Sequence, residues 1–483
     1  MAQVDFPNIL PKEDRLGMVK SAPELLDHGN MAARKLALEI ITRSITAIDS
    51  YALTKEAVKL SGHSLTVAGQ HYDLTRVRHV YVVGAGKATM PMASALEEIL
   101  GLRISKGQIV VKLGQLRPLR RIAVTESDHP LPSREGLEGA ESIVRIANEA
   151  GEDDLVFCLV TGGASALLPF PVQGISLEDK RRTTEFLLRV GADVNEINCV
   201  RNHLSQIKGG KLAEKIHPAR IINLVVVDEI DRKVWGPSAP DNTTFEDALD
   251  VLHRYGLWNK VPSSVRQYIK RGLRDQSLET LKDYDFAKFQ IQNVILADNV
   301  SLCEGAEREA RRLGLNPLIL TTSLRGESSQ VGAVLGRIAL EIESFRRPAR
   351  VPCAIIAGGE TTVTLGPRHG EGGPSQELAL AAAREIRGSQ NIVIAAIDTD
   401  GTDGPTSAAG GLVDGKTFDR ISNAGIDPLR SLRLHDSYNA LAASNDVIVT
   451  GSTGTNVMDL NLAIVTDSAN LESFNGLGKD DGT

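Results

Sequence analysis

Apolar runs of strand length recur along this chain with amphipathic stretches between them. No other feature constrains the fold as much. HVYVV (79–83), QIVV (108–111), RIAVT (121–125), DLVFCLV (154–160) and RIINLVVV (220–227) lie in the first half. NVILA (293–297), PLILTT (317–322), CAIIAGG (353–359), TTVTL (361–365), NIVIAAI (391–397) and LNLAIV (460–465) follow. Runs this apolar are strands buried on both faces, which is the habit of parallel sheets covered by helices. Segments such as EDKRRTTEFLLRVGADV (178–194) supply the covering helices. The chain is therefore expected to be α/β, with two sheets.

Length supports that division. At 483 residues the chain exceeds the roughly 250–300 at which one core stops growing. The turn-rich passage from Trp235 to Ser264 is the expected junction, with α/β domains over 1–245 and 246–468. Residues 469–483, small and polar, read as a flexible tail. Fifty-four basic against 61 acidic residues give a net charge of −7, which argues against a nucleic-acid partner. No run of 18 apolar residues appears, so no membrane span is expected. Cys158, Cys199, Cys303 and Cys353 form no CxxC pair, which fits a reducing, cytoplasmic setting. A homodimer is left open.

Glycine turns follow several of the apolar runs. Gly84-Ala85-Gly86-Lys87 stands between HVYVV and the helical pattern ATMPMASALEEIL. A strand that turns through glycines into a helix start suits phosphate, because unpaired N–H groups and the helix dipole meet there. The stretch fits neither G-x-G-x-x-G nor G-x-x-x-x-G-K-[ST], so a plain dinucleotide fold and a P-loop are both disfavoured. Lys87 can be a phosphate clamp or a solvated first-turn residue. In TGGASALL (161–168), Gly162 and Gly163 allow close approach of a ligand, and Ser165 can cap the next helix. Leu167 breaks the G-x-S-x-G pattern, which disfavours a serine hydrolase. Gly358-Gly359-Glu360 ends another run, and Gly372-Gly373 opens a helix at Pro374. Asp398, Asp400, Asp403 and Asp414 punctuate the next turn. They can bind a divalent cation or simply form Asx turns. Arg201 and Lys208, in the segment 194–216 whose helix-like part ends at Gly209-Gly210, offer cationic donors for a carboxylate or phosphate. His203 has no second ligand at zinc spacing. Thr453 and Asn456 lie in a late glycine- and threonine-rich turn, a possible anion nest.

Taken in order, GAGKA (84–88), HPLP (129–132), TGGASALL (161–168) and EIN-VR-HLS-IKGGKLA (196–213) resemble the class II glycerate 2-kinases. TTFEDAL (243–249), GGETTVT (358–364), TDGTDGPT (399–406) and GTNVMDL (454–460) extend the resemblance to nearly the whole chain. It implies two Rossmann-like α/β domains with mostly parallel sheets and a cleft between them. The implied reaction is ATP-dependent phosphorylation of D-glycerate, or a related small hydroxy acid, at the 2-hydroxyl with Mg²⁺. Under it Lys87 is the catalytic lysine. Asp228 and Glu229 hold the metal or orient the hydroxyl, and Asp403 is a further metal ligand. Gly84, Gly86, Gly162, Gly163, Ser165, Gly358, Gly359, Glu360, Thr453 and Asn456 line the nucleotide. Arg201 and Lys208 hold the substrate carboxylate.

Three loops depart from the family pattern. GGRNQE is here GGPSQE, so Pro374 stands where the family has its active-site arginine, and Arg368 is a candidate substitute. The aspartate-rich SDVPGDDPSVIGSGPT is here NLVVVDEIDRKVWGPS (223–238). GPTGTN is here GSTGTN (451–456). Two other readings therefore remain beside the kinase: different chemistry on a small carboxylate substrate, since function resides in the site, and a non-catalytic binding relative.

Overall fold

The computed structural model describes residues 16–229 and 234–467. The expected tail, 469–483, and part of the 223–238 loop lie outside them. A small antiparallel sheet comes first, with β1 (Val58–Ser61), β2 (Ser64–Val67) and β3 (Gln70–Asp73). Its tight turns pass through Gly62 and Gly69, both at positive φ. The main strands follow: β4 (Val80–Ala85), β5 (Ile104–Lys112), β6 (Ile122–Ser127), β7 (Leu155–Val160), β8 (Arg220–Val226) and β9 (Ile291–Ala297). They form one sheet in the order β6-β5-β4-β7-β8-β9. The β5–β6, β4–β5, β4–β7 and β7–β8 pairs all run parallel. Every residue of β4 and β7 is buried, as the unbroken apolar runs require. Helix Arg134–Glu149, capped by Ser133, packs Ala140, Ile143 and Ala147 against Val83, Val110 and Cys158.

The second sheet contains β10 (Asn316–Leu324), β11 (Cys353–Gly359), β12 (Ile392–Asp398), β13 (Gly410–Asp414), β14 (Val447–Ile448) and β15 (Asp459–Val465), in the order β10-β11-β15-β12-β13-β14. Here the structure departs from the expectation of a mostly parallel sheet. Only β10–β11 is parallel, and β15 runs antiparallel to both of its neighbours. Buried antiparallel strands carry the same apolar runs as parallel ones, so composition did not separate them. TTVTL forms no strand; Thr362 makes a single bridge to Glu327. β13 hides in a glycine- and aspartate-rich stretch that reads as turn.

Contacts divide the described chain into two units, and not at 245/246. Residues 50–227 and 234–296 form the unit of the parallel sheet; residues 16–49, 228–229 and 297–467 form that of the mixed sheet. Helix Phe245–Arg254 explains the difference, because Phe245, Ala248, Val251 and Leu252 share a core with Leu187, Val200 and Ile269. The chain stays in the parallel unit until β9, which the sequence grouped with the second half. Helix Met31–Ala47 joins the mixed unit instead, against helix Asn299–Arg312 and strands β12 and β15.

Candidate active site

Numbered within its own sheet, the parallel unit has strand order 3-2-1-4-5-6, the doubly wound order whose reversal opens a ligand crevice beyond the strand carboxyl ends. That reversal falls between β4 and β7. The turns leaving these two strands are Gly84-Ala85-Gly86-Lys87 and Thr161-Gly162-Gly163, and they interlock. Lys87 N donates to Gly162 O at 2.8 Å, Thr161 N to Ala85 O at 3.2 Å, and Ala88 N to Thr161 Oγ1 at 3.0 Å. Glycine is obligatory at Gly86, where φ is +137° and a Cβ would lie 2.0 Å from Thr161 Oγ1. Helix Thr89–Leu100 starts just past Lys87, and its N-cap residue Ala88 offers no capping side chain to the first N–H groups.

Gly163, at φ +85°, is where several side chains converge. A Cβ there would sit 3.2 Å from His129 Nε2 and 3.3 Å from Lys87 Cγ. Lys87, His129, Gly163, Ser165 and Asn198 are all half-buried, forming a polar rim. Ser165 was expected as a helix cap. It lies instead inside the short helix Ala164–Leu167, whose N-cap is Gly163, and its hydroxyl donates to Asn198 Oδ1 at 2.8 Å.

The same unit buries three cations that form no ion pair with any carboxylate among the described residues. Arg201 is 8% exposed; its Nη2 reaches Pro130 O at 3.4 Å and its Nε has no partner. Lys208 donates to Leu168 O at 2.8 Å. Lys180 donates to Arg201 O and Leu204 O, both at 3.0 Å, at the carboxyl end of helix Val194–His203. Burial lowers the Arg201 pKa to about 10, and burial together with Arg201 lowers that of Lys208 to about 7. Burial, then Lys208 and Arg201, hold Lys180 far below its ordinary value. The helix-like stretch expected to end at Gly209-Gly210 stops earlier, at His203. Gly209 and Gly210, both at positive φ, start the second helix, Lys211–Ile216.

The mixed unit gathers the other expected residues at one end of its sheet. Gly358 packs so closely on Asn299 that a Cβ would fall 1.8 Å from its Oδ1. Glu360 N donates to Leu324 O at 3.0 Å, and its side chain is exposed. Asp459 lies across from Gly359 on one side and Asp398 on the other. Burial, then the charges of Asp398, Asp403 and Glu360, hold the Asp459 carboxyl far above the usual range. Thr453 Oγ1 donates to Thr399 O at 2.5 Å, and Asn456 Nδ2 to Asp228 Oδ2 at 3.3 Å. Asp228 and Glu229 are half-buried.

Asp403, expected as a metal ligand, is committed elsewhere. Its fully buried carboxylate accepts from Ser375 N at 3.1 Å and from Gln376 N and Nε2 at 2.8 Å each. It thereby caps helix Pro374–Glu385, with Pro374 at the first position as expected. Burial outweighs these bonds and raises its pKa to about 6. Among the described residues no three His, Cys, Asp or Glu side chains stand together as a metal cage. Arg368 is exposed on the loop before that helix. Sequence reasoning missed Lys180 and Asp459 and gave Asn198 and His129 no role of their own. HPLP was visible as a motif, but nothing local shows that its ring returns to Gly163.

The chain matches the profile of a domain of unknown function (DUF4147) over residues 36–270 and the MOFRL family over 353–459. It is 44% identical to a glycerate 2-kinase of Pyrococcus horikoshii, covering 90% of this chain and 98% of that one. A D-glycerate 2-kinase of Thermotoga maritima is 37% identical over 89% of this chain and 98% of its own length. A human glycerate kinase is 32% identical over 90% and 93%. Crystal structures agree: a Pyrococcus horikoshii protein superposes with a TM-score of 0.73 at 44% identity, covering 90% and 99% of the two chains. Glycerate kinase from Thermotoga maritima gives 0.75 at 36%, covering 89% and 99%.

Proposed function

Because the chain belongs to the glycerate 2-kinase family, we propose that it transfers the terminal phosphoryl group of ATP to the 2-hydroxyl of D-glycerate. The observation that carries this reading is Lys87 at the strand-order reversal, in a unit that also buries the Arg201 guanidinium without an acid partner. A site with that donor set fits two anions, a phosphate chain and a carboxylate. Lys87 neutralises charge on the transferring group, the dominant need when the transition state is loose and anionic. Arg201 takes the substrate carboxylate. Lys208, whose ammonium donates to Leu168 O, holds the 161–168 turn in place and has two further donors for the same carboxylate. Mg²⁺ bound by phosphates asks only one or two protein carboxylates, and the half-buried Asp228 and Glu229 would supply them. ATP, when bound, provides the electrophilic phosphorus.

ADP formation dependent on D-glycerate and Mg²⁺ tests the reading, and no turnover with any of a panel of small hydroxy acids discards it. Lys87→Met should lower kcat by ~10²–10³-fold. Arg368→Ala should also lower kcat if Arg368 supplies the guanidinium that Pro374 lacks; an unchanged rate removes it from the site.

A further inference from the structure

We propose that His129 is a second catalytic residue of this site, accepting the proton of the substrate hydroxyl as the phosphoryl group is transferred. The inference rests on the kinase reading and adds the group that reading lacks. Phosphoryl transfer to a hydroxyl forms an O–P bond, breaks the bond between phosphorus and the nucleotide oxygen, and releases one proton. A positioned side chain that takes this proton is worth roughly 10²–10⁴-fold in rate. Lys87 and Arg201, which meet anions as cations, are poor acceptors, and Lys180 and Lys208 are turned to backbone carbonyls. In the parallel unit, the half-buried rim at Gly163 offers one imidazole.

Its placement is specific. The His129 ring lies over Gly163, with Nε2 3.2 Å from where a Cβ would stand and Lys87 Cγ 3.3 Å from the same point. The imidazole and the lysine stem therefore converge on the same glycine, at distances too short for a side chain to stand there. Pro130, the next residue, is touched through its carbonyl by Arg201. One loop thus links the proton acceptor to the carboxylate donor, and a 2-hydroxy acid carries its hydroxyl on the carbon beside its carboxylate. Lys87, from the turn after β4, converges on the same glycine as His129; Arg201, from helix Val194–His203, meets the residue after it; and exposed Asp128 precedes it in the chain. After transfer the proton passes from the ring to water.

The test uses the full chain with His129→Ala, and His129→Gln as the better-folding alternative should the alanine variant misfold. With D-glycerate and Mg²⁺–ATP, kcat should fall by roughly 10²-fold or more, with both KM values within about threefold. Added imidazole should restore part of the rate to His129→Ala, which a merely structural role would not allow. A kcat within about threefold of the parent, or equal loss through KM alone, overturns the proposal. Calorimetry gives a readout independent of turnover, comparing D-glycerate with 3-hydroxypropanoate, which lacks the 2-hydroxyl. Loss of that hydroxyl should weaken binding to the parent at least about fivefold more than to His129→Ala. If the parent turns over no hydroxy acid, the kinase reading falls, and the calorimetric coupling alone decides His129. Absence of that coupling, or of any D-glycerate binding, overturns it.

Discussion

Arg201 is held at a cost. A guanidinium taken from water without a carboxylate loses solvation worth several kcal/mol, and one of its nitrogens has no acceptor at all. Such a group destabilises the empty protein and is repaid only when an anion arrives. Arg201→Met should therefore leave thermal stability unchanged or raised, while weakening binding of D-glycerate by ~10²-fold. Melting temperature and calorimetric affinity, measured on the same sample, check the two halves. Lower stability with unchanged affinity would make Arg201 a structural residue. At this scale the sequence spoke unevenly. Lys87 was legible because strand, glycine turn and helix start are contiguous. Arg201 was legible as a charge but not as a buried one. The places of His129 and Asn198 depend on β6, β7 and the following helices assembling, so no local pattern reports them.

Helix Pro374–Glu385 shows how an element is fixed from a distance. Its first turn is satisfied by Asp403, which lies beyond the whole of β12 in the chain. Asp403→Ala would orphan two buried N–H groups, while the Gln376 amide would keep Asp403 O and Thr406 Oγ1. It should cost about 2–4 kcal/mol in denaturant melts. If Asp403 has no metal role, D-glycerate kinase activity of the surviving folded fraction should keep its Mg²⁺ dependence. A large rise in the Mg²⁺ requirement would return it to the metal site. Elements were read well where one periodicity ran long, as in β4, β7, β11 and β12. They were missed where composition and topology disagree. β13 is built from GGLVD, turn-like by residue type, and is a strand because β12 pairs with it. TTVTL has strand residues but, beyond one bridge, nothing to pair with.

Across the molecule, the mixed unit takes an amino-terminal helix as part of its own core. Arg34 is fully buried; its Nε donates to Asp414 at 2.8 Å, its Nη1 to Leu25 O at 3.1 Å, and its Nη2 to Asp446. Arg420 bonds both aspartates at 3.0 Å. Burial alone would raise the Asp414 pKa, but Arg34 and Arg420 overturn that and hold it at about 2. Since this folded value lies below the unfolded one, the contribution is present above about pH 4 and is lost as pH falls toward 2. It amounts to ~2 kcal/mol. Urea melts between pH 6 and pH 3 should show the loss, and Asp414→Asn should flatten that limb. Ending the chain before β15 should leave residues 50–296 protease-resistant and residues 297–458 digested, because β15 sits between β11 and β12. Survival of both would refute a mixed sheet centred on β15. Two α/β units were legible from length and alternation. Their membership was not, since nothing in MAARKLALEIITRSITA announces a partner hundreds of residues away.

That arrangement has a consequence for biosynthesis. The strand at the middle of the mixed sheet leaves the ribosome after every neighbour it joins. Helix Met31–Ala47, which rests on that strand, emerges before almost all of them. At ~5–20 residues per second its greasy face waits on the order of tens of seconds for its seat. During that interval the nascent chain offers a sticky helix to any chaperone or neighbouring polypeptide within reach.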